Sequence, residues 1–175
     1  MIEIKELDRN NAQYLNKCDE EFTISSFYDI SFIGGKFELT EKAVTPYKKK
    51  YESTKINVEE YLKAPAKTVL FAFADGKLAG EVILEKNWNN YARLEIAVIE
   101  EYRRKGIGKK LMEHSINWTR LKGLPGIMAE TQNTNVPACK FYKASGFNIG
   151  GIDTELYKGV DKNSKEIAIF WYYEF

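Results

Sequence analysis

The chain is poor in the residues that several chemistries require. Of its 175 residues one is histidine (His114) and two are cysteine (Cys18 and Cys139). No CxxC pair occurs, so neither a disulfide framework nor a thiol–imidazole metal set is expected. No apolar run approaches the roughly 18 residues that a membrane span needs. The N-terminal MIEIKELDRN is too charged for a signal peptide. Lys and Arg total 26 against 25 Asp and Glu, a net charge of +1, and that balance argues against a chain built to coat nucleic acid or an anionic membrane. The expectation is a reduced, soluble, cytoplasmic protein without a metal. Aromatic residues make up 14% and hydrophobic residues 44%, enough to fill the core of one domain spanning residues 1–175.

Periodicity is uneven along the chain. Ile2–Leu7 alternates as a short edge strand does, and Asp8–Glu20 suits a helix capped by Asp8 or Asn10. Residues 21–67 give little pattern: aromatics are scattered, Gly34-Gly35 punctuates them, and Asn57–Leu62 reads as a short helix ending before Pro65. From Thr68 the signal is clear. Thr68–Ala74, Leu78–Leu84 and Tyr91–Val98 form a three-strand meander, turned at Asp75-Gly76 and at Asn87–Asn90. Gly106–Lys122 has a helical period, with Ile107, Leu111, Met112, Ser115, Ile116, Trp118 and Thr119 on one side. Gly126–Glu130 is a short buried strand. Val136–Ala144 is a helix with Pro137 in its first turn and Gly146 past its end. Phe147–Tyr157 and Ile167–Phe175 are the last strands.

The most informative stretch is Arg103-Arg104-Lys105-Gly106-Ile107-Gly108-Lys109-Lys110, between a strand and a helix. Gly106 and Gly108 let backbone N–H groups approach a ligand closely. The helix start adds unpaired donors and the positive end of a dipole, which together suit a pyrophosphate. The alternative is a solvated basic turn. Two other phosphate-binding patterns are excluded: GxxxxGK[ST] does not fit the Lys109-Lys110 spacing, and GxGxxG fails because position 111 is Leu.

This order of elements resembles the GNAT acyltransferase superfamily. Its acyl-CoA signature, Gln/Arg-x-x-Gly-x-Gly/Ala, is matched by Arg103, Gly106 and Gly108. A second signature, Asn-x-x-Ala-x-x-Phe/Leu-Tyr followed by Gly-Phe, is matched by Asn135, Ala138, Phe141, Tyr142, Gly146 and Phe147. Within the superfamily, residues 86–91 (KNWNNY), 130–133, 138–142, 153–157 and 170–172 look like streptothricin acetyltransferases. The resemblance covers about residues 68–175 and implies an α+β fold, a mixed but mostly antiparallel twisted sheet of about six to seven strands flanked by helices. One departure stands out: Leu94-Glu95-Ile96-Ala97-Val98 has one acid where two adjacent acids are expected, which leaves the position of a bulge in this strand open.

The resemblance also implies a site for acetyl-CoA. The backbone of Ile96, Ala97 and Val98 would hold the pantetheine arm. The N–H groups from Arg103 or Arg104 through Lys105, Gly106 and Ile107 to Gly108 would hold the pyrophosphate. Asn135 would touch the pantetheine, Ala138 and Tyr142 would also belong to the cofactor site, and Lys109, Lys140 or another surface base would meet the 3′-phosphate. Tyr142 would protonate the departing thiolate, a phenol near ~10 being close enough to a thiol near ~8.5 for useful proton transfer; its alternative is a core aromatic. Glu95 would relieve the acceptor amine of a proton; its alternative is a salt-bridged carboxylate. The Val98 N–H would steady the thioester oxygen. Glu81, Glu85, Glu95, Asp153 and Glu155, with Trp88, Tyr91, Trp171 and Tyr172, are candidates to line a pocket for a cationic acceptor, though most such residues on a half-buried sheet are surface charges or core aromatics. His114 and Cys139 read as structural.

The function implied is acetyl transfer to a primary amine of a small cationic antibiotic, above all the β-lysine amine of streptothricin. A protein lysine or N-terminal amine, a polyamine, and a non-catalytic acyl-CoA-binding module are the alternatives. Neither nucleic acid nor membrane is expected as a partner. A homodimer stays open, because members of the superfamily often pair.

Overall fold

The computed structural model describes residues 1–18, 21–50 and 55–175. Among the described residues, nine strands and three α-helices follow one another as β1 (Ile2–Glu6), β2 (Phe22–Ile33), β3 (Lys36–Lys49), α1 (Val58–Lys63), β4 (Lys67–Ala74), β5 (Lys77–Lys86), β6 (Ala92–Val98), α2 (Ile107–Leu121), β7 (Gly126–Gln132), α3 (Val136–Ala144), β8 (Asn148–Asp153) and β9 (Ala168–Glu174). Seven strands share one mixed sheet in the order β1-β4-β5-β6-β7-β9-β8, while β2 and β3 form a two-stranded ribbon. The pairs β1/β4, β4/β5, β5/β6 and β8/β9 are antiparallel. The chain divides into two compact units: Met1–Glu21 with Lys50–Ile127 and Phe175, and Phe22–Lys49 with Met128–Glu174.

In the first unit, strand alternation sends side chains to two different layers. Register places Gly80 opposite Val98, Val82 opposite Ile96 and Leu84 opposite Leu94. This face meets α2, whose buried stripe is Ile107, Leu111, Met112, Ser115, Trp118 and Thr119. Gly80 matters here, because a Cβ would lie 2.8 Å from the Ala97 carbonyl oxygen and against Leu111 and Ile107. On the other face Val69, Phe71 and Phe73 pack with Leu15, Tyr14, Val58, Tyr61 and Ile83. Helix α1 stays short: Asn57 caps it by accepting from the Glu59 and Glu60 N–H groups, and Pro65 follows its end.

The helix expected over Asp8–Glu20 is not formed. Ala12–Tyr14 makes one 3-10 turn, and Asp19 and Glu20 lie outside the described residues. Asp8 accepts from the Asn10 and Asn11 N–H groups, Asn11 donates to the Glu6 carbonyl, and Asn16 sits at φ 60°. Short polar side chains bonding to nearby backbone compete with helix formation.

In the second unit, β2 and β3 pair over nearly their whole length around Gly34 and Gly35, at φ 57° and 81°. Asn133 anchors the ribbon: its backbone oxygen accepts from Tyr28 N–H, its side-chain amide donates to the Tyr28 carbonyl, and its Oδ1 accepts from Ile167 N–H. Lys49 pairs with the mostly buried Glu166, which also accepts from Thr134. The last-but-one strand is shorter than the expected Phe147–Tyr157. It stops at Asp153, whose Oδ1 accepts from the Glu155 and Leu156 N–H groups and starts a 3-10 turn over Leu156–Gly159.

Asn133→Ala would orphan two backbone groups, and about 2–3 kcal/mol of stability should go with them. Urea unfolding of the variant should show a lowered midpoint with an unchanged slope.

Candidate active site

The first unit builds a cradle for an anion where β6 turns into α2. The Ile99 N–H donates to the Ala79 carbonyl, and Glu100–Tyr102 makes a 3-10 turn closed by Arg103 N–H on the Glu100 carbonyl. The Arg103 guanidinium then reaches back, donating to the Val98 carbonyl at 2.9 Å and to the Glu21 carbonyl at 3.2 Å. Its side chain and its N–H both brace the turn, so the run of donors facing a ligand starts at Arg104. Arg104 (φ 62°) and Gly106 (φ 84°) take left-handed backbone. Gly106 caps α2 without a side-chain hydrogen bond. The first-turn N–H groups of an α-helix have no partner within it. With the dipole behind them and the exposed Arg104, Lys105 and Lys109 around them, they suit a pyrophosphate. Lys105 also lies over the Tyr102 ring, 5.6 Å from its centroid.

Strand β6 changes character along its length. Ala92 and Leu94 are buried, whereas Glu95, Ile96, Ala97 and Val98 are half-buried. Its pairing with β5 is unbroken from Ala92 to Val98; the register irregularity lies one strand away, in the β4/β5 pair between Ala72 and Phe73. The missing second acid is thus not made up by a bulge against β5.

Three carboxylates share the face of β5 and β6 opposite α2. Glu81 stands across from Ala97, Ile83 from Glu95, and Glu85 from Arg93. Glu81 is buried, at 6% exposure. Glu95 and Glu81 are diagonal neighbours, a spacing of about 7–8 Å in an antiparallel pair. Arg93 donates from Nη1 to Glu95 Oε1 at 2.5 Å, and from Nε and Nη2 to Glu85 Oε1 at 2.8 and 2.5 Å. The Tyr61 hydroxyl donates to Glu85 Oε2 at 3.2 Å, and Lys67 lies 3.4 Å from the same carboxylate. Burial alone would raise the Glu85 pKa, but Arg93 and Lys67 hold it below the ordinary carboxylate range. Burial, and then Glu85, push Tyr61 up to about 12, so it remains a protonated donor.

The second unit carries the other signature. Asn135 caps α3, its Oδ1 accepting from the Ala138 N–H at 3.3 Å, with Pro137 in the first turn. Tyr142 is buried at 3% exposure. Its ring stacks on Trp171 at 6.1 Å and meets Phe147 edge-on at 5.2 Å. Trp171 is fixed in turn by its indole N–H on Thr131. Cys139 is buried and its thiol is pushed up to about 11 by desolvation, which leaves it inert as a nucleophile. Lys140 pairs with Glu41 at 2.7 Å.

The remaining acceptor-site candidates have ordinary surroundings. Trp88 stands 90% exposed on the β5–β6 turn, with half-buried Tyr91 held at its backbone by Asn89. Asp153 caps its own turn and Glu155 pairs with Lys158. Gly80 and Arg93 were missed in the sequence; the signal for Arg93 was there, an arginine two residues before an acid on one strand face. Among the described residues no group of three or more His, Cys, Asp or Glu could hold a metal ion. No helix among them is long and apolar enough to cross a membrane.

The Acetyltransferase (GNAT) family profile matches residues 37–147. Streptothricin acetyltransferase A of Bacillus subtilis (strain 168) is 36% identical over 174 residues, which are 98% of this chain and 99% of that protein. A streptothricin acetyltransferase of Escherichia coli is 35% identical over 157 residues, 89% of this chain and 87% of its own. The solved structure of a Bacillus anthracis str. Ames protein assigned as a streptothricin acetyltransferase, in complex with acetyl coenzyme A, superposes with a TM-score of 0.92 at 37% identity over 100% of both chains.

A side chain at Gly106 meets no protein atom within 4 Å, so a substitution there tests backbone and ligand rather than packing. Gly106→Val, a β-branched residue at positive φ, should abolish acetyl-CoA binding in a calorimetric titration, and Gly106→Ala should weaken it less.

Proposed function

This chain belongs to the acetyltransferase (GNAT) family, and we propose that it acetylates the β-lysine amine of streptothricin and so confers resistance to that antibiotic. It is an acetyl-CoA-dependent N-acetyltransferase. The observation that carries the choice of acceptor is the carboxylate face of Glu81, Glu85 and Glu95, since streptothricin is a polycation and opposite charges steer and hold such a ligand. The whole-length similarity to streptothricin acetyltransferases supports the same reading. In this reading residues 1–175 work as one catalytic domain.

The residues of the cradle fit acetyl-CoA: left-handed backbone at Arg104 and Gly106, an uncapped helix start, and cations around it. The cosubstrate supplies a thioester carbon open to attack by an amine. The N–H groups from Arg104 to Gly108 bind its pyrophosphate. The backbone of Ile96, Ala97 and Val98 lies along its pantetheine, and the Val98 N–H steadies the thioester oxygen. Asn135 orients the pantetheine from the start of α3. An alkylammonium cannot attack until it loses a proton, and Glu95 accepts that proton. Tyr142 gives its phenolic proton to the sulfur as the C–S bond breaks, and the second N–H proton of the collapsing intermediate returns to the Tyr142 oxygen, so of the two protons the ammonium loses one ends on the thiol and one leaves through Glu95. Stacking on Trp171 and Phe147 fixes the Tyr142 ring for that transfer. Glu81, Trp88, Tyr91, Asp153 and Glu155 remain the acceptor-side candidates, with Glu81 foremost because it shares a face with Glu95.

Thiol release from acetyl-CoA, measured with streptothricin, aminoglycosides, polyamines and lysine peptides in parallel, tests the acceptor. Fast release with streptothricin alone is the expected result; preference for another amine would reassign the acceptor. Tyr142→Phe should lower kcat by about 10²-fold or more with acetyl-CoA affinity kept. A large loss of affinity at normal turnover would remove Tyr142 from its role as the acid.

A further inference from the structure

We infer that Arg93 is a positioning residue that aims Glu95 at the acceptor and limits the negative charge the acceptor meets. This inference rests on the carboxylate face being the acceptor's face.

Arg93 sits at the start of β6, directly across from Glu85 and two residues before Glu95 on the same face. Its guanidinium divides its donors between the two. Nε and Nη2 both reach Glu85 Oε1, and Nη1 reaches Glu95 Oε1. The fork is rigid and planar, so whatever fixes one edge fixes the other. The Glu85 edge is the fixed one. Glu85 is held also by the Tyr61 hydroxyl from α1 and by Lys67, which bonds Glu60 at 2.5 Å. The Glu95 edge faces outward, its side chain 44% exposed against 22% for Glu85. An anchored carboxylate, a rigid fork and an exposed carboxylate thus stand in line.

Two functions follow from this order. The fork holds Glu95 Oε1 to one position on a strand where its same-face neighbours Arg93 and Ala97 are themselves only half-buried. Misplacement of a proton acceptor by about 1 Å can cost about 10²-fold in rate. The guanidinium also sets one positive charge amid Glu81, Glu85 and Glu95, so a cationic acceptor meets less attraction than three carboxylates would give. Glu85, whose oxygens are engaged by Arg93, Lys67 and Tyr61, is then an anchor and not an acceptor ligand.

The roles of geometry and charge separate in steady-state kinetics with the amine of highest turnover in the panel above. Arg93→Gln removes charge and fork together. Its kcat should fall by about 10- to 100-fold, while the acceptor KM falls several-fold at low salt and the acetyl-CoA KM stays unchanged. Arg93→Lys keeps the charge and loses the fork, so kcat should fall with the acceptor KM unmoved. Glu85→Gln, which loosens the anchor and leaves Arg93 in place, should also lower kcat. Wild-type kinetics in both Arg93 variants would overturn the inference. So would equal losses in kcat with no shift in the acceptor KM of Arg93→Gln, tracking a loss of folded protein in thermal melts. Glu95→Gln distinguishes the two levels: wild-type kinetics there would overturn the carboxylate-face reading itself, whereas a defect there beside unaffected Arg93 variants would overturn this inference alone.

Discussion

A helix that begins without a side-chain cap leaves backbone donors that must find acceptors elsewhere, and the first unit is arranged around that demand at the start of α2. Gly106 at positive φ swings the chain into the helix with nothing beside it. Ile107, 2% exposed, pins the first turn to the sheet, and Gly80 lets the helix come that close. Arg103 ties the turn back to the last carbonyl of β6, so strand end and helix start move as one piece. A ligand that accepts hydrogen bonds from that turn is therefore registered against β6 itself. The half-buried stretch from Glu95 to Val98 begins on the same strand that the turn terminates.

The two faces of that sheet are chemically unlike, and strand alternation alone makes them so. One face is apolar from Leu84 to Ile96 and closes on α2. The other interleaves the core residues Val69, Phe71 and Ile83 with Glu81, Glu85, Arg93 and Glu95. Carboxylates set beside aromatic and aliphatic packing are less screened than on an open surface, so their charge reaches further into whatever binds there. The cations that temper them are not scattered. Lys67 and Arg93 both converge on Glu85, and α1 contributes Glu60 and Tyr61 to the same group.

Most of the half from Thr68 onward was legible in the sequence, because its periods are strong and its turns carry the right residues. Asp75-Gly76 gave the hairpin, the helical period from Gly106 to Lys122 marked the long helix, and α3 ran over the expected Val136–Ala144. The two glycine- and asparagine-based signatures were local in sequence and so could be read directly. The β2–β3 ribbon was not read. Pro46 interrupts the pattern of β3, the register slips between Ile24 and Ser26, and most of its residues are exposed, so alternation left little trace. What holds the ribbon, Asn133 and Glu166, lies more than eighty residues further along the chain, where no local pattern records it. The expected helix over Asp8–Glu20 failed for the opposite reason: its polar residues satisfied local backbone groups before a helical period could form. At the candidate site, residue types were legible but partners were not. Nothing in the sequence says that Arg103 would turn away from the ligand or that Glu85 would be fully engaged.

The distance along the chain between the ribbon and its anchors also sets a schedule for synthesis. The ribbon is complete once Lys49 has emerged, yet Asn133, Lys140 and Glu166, which tie it down, come later. At about 5–20 residues per second the gap before Asn133 lasts on the order of several seconds. A lone two-stranded hairpin is marginal in water. During that interval the nascent ribbon lacks these anchors, while Phe32 and Ile33 stand exposed in it as they do in the folded chain. The lysines and acids distributed along both strands serve the growing chain as well as the finished one, keeping this segment soluble while the ribosome makes the part that holds it.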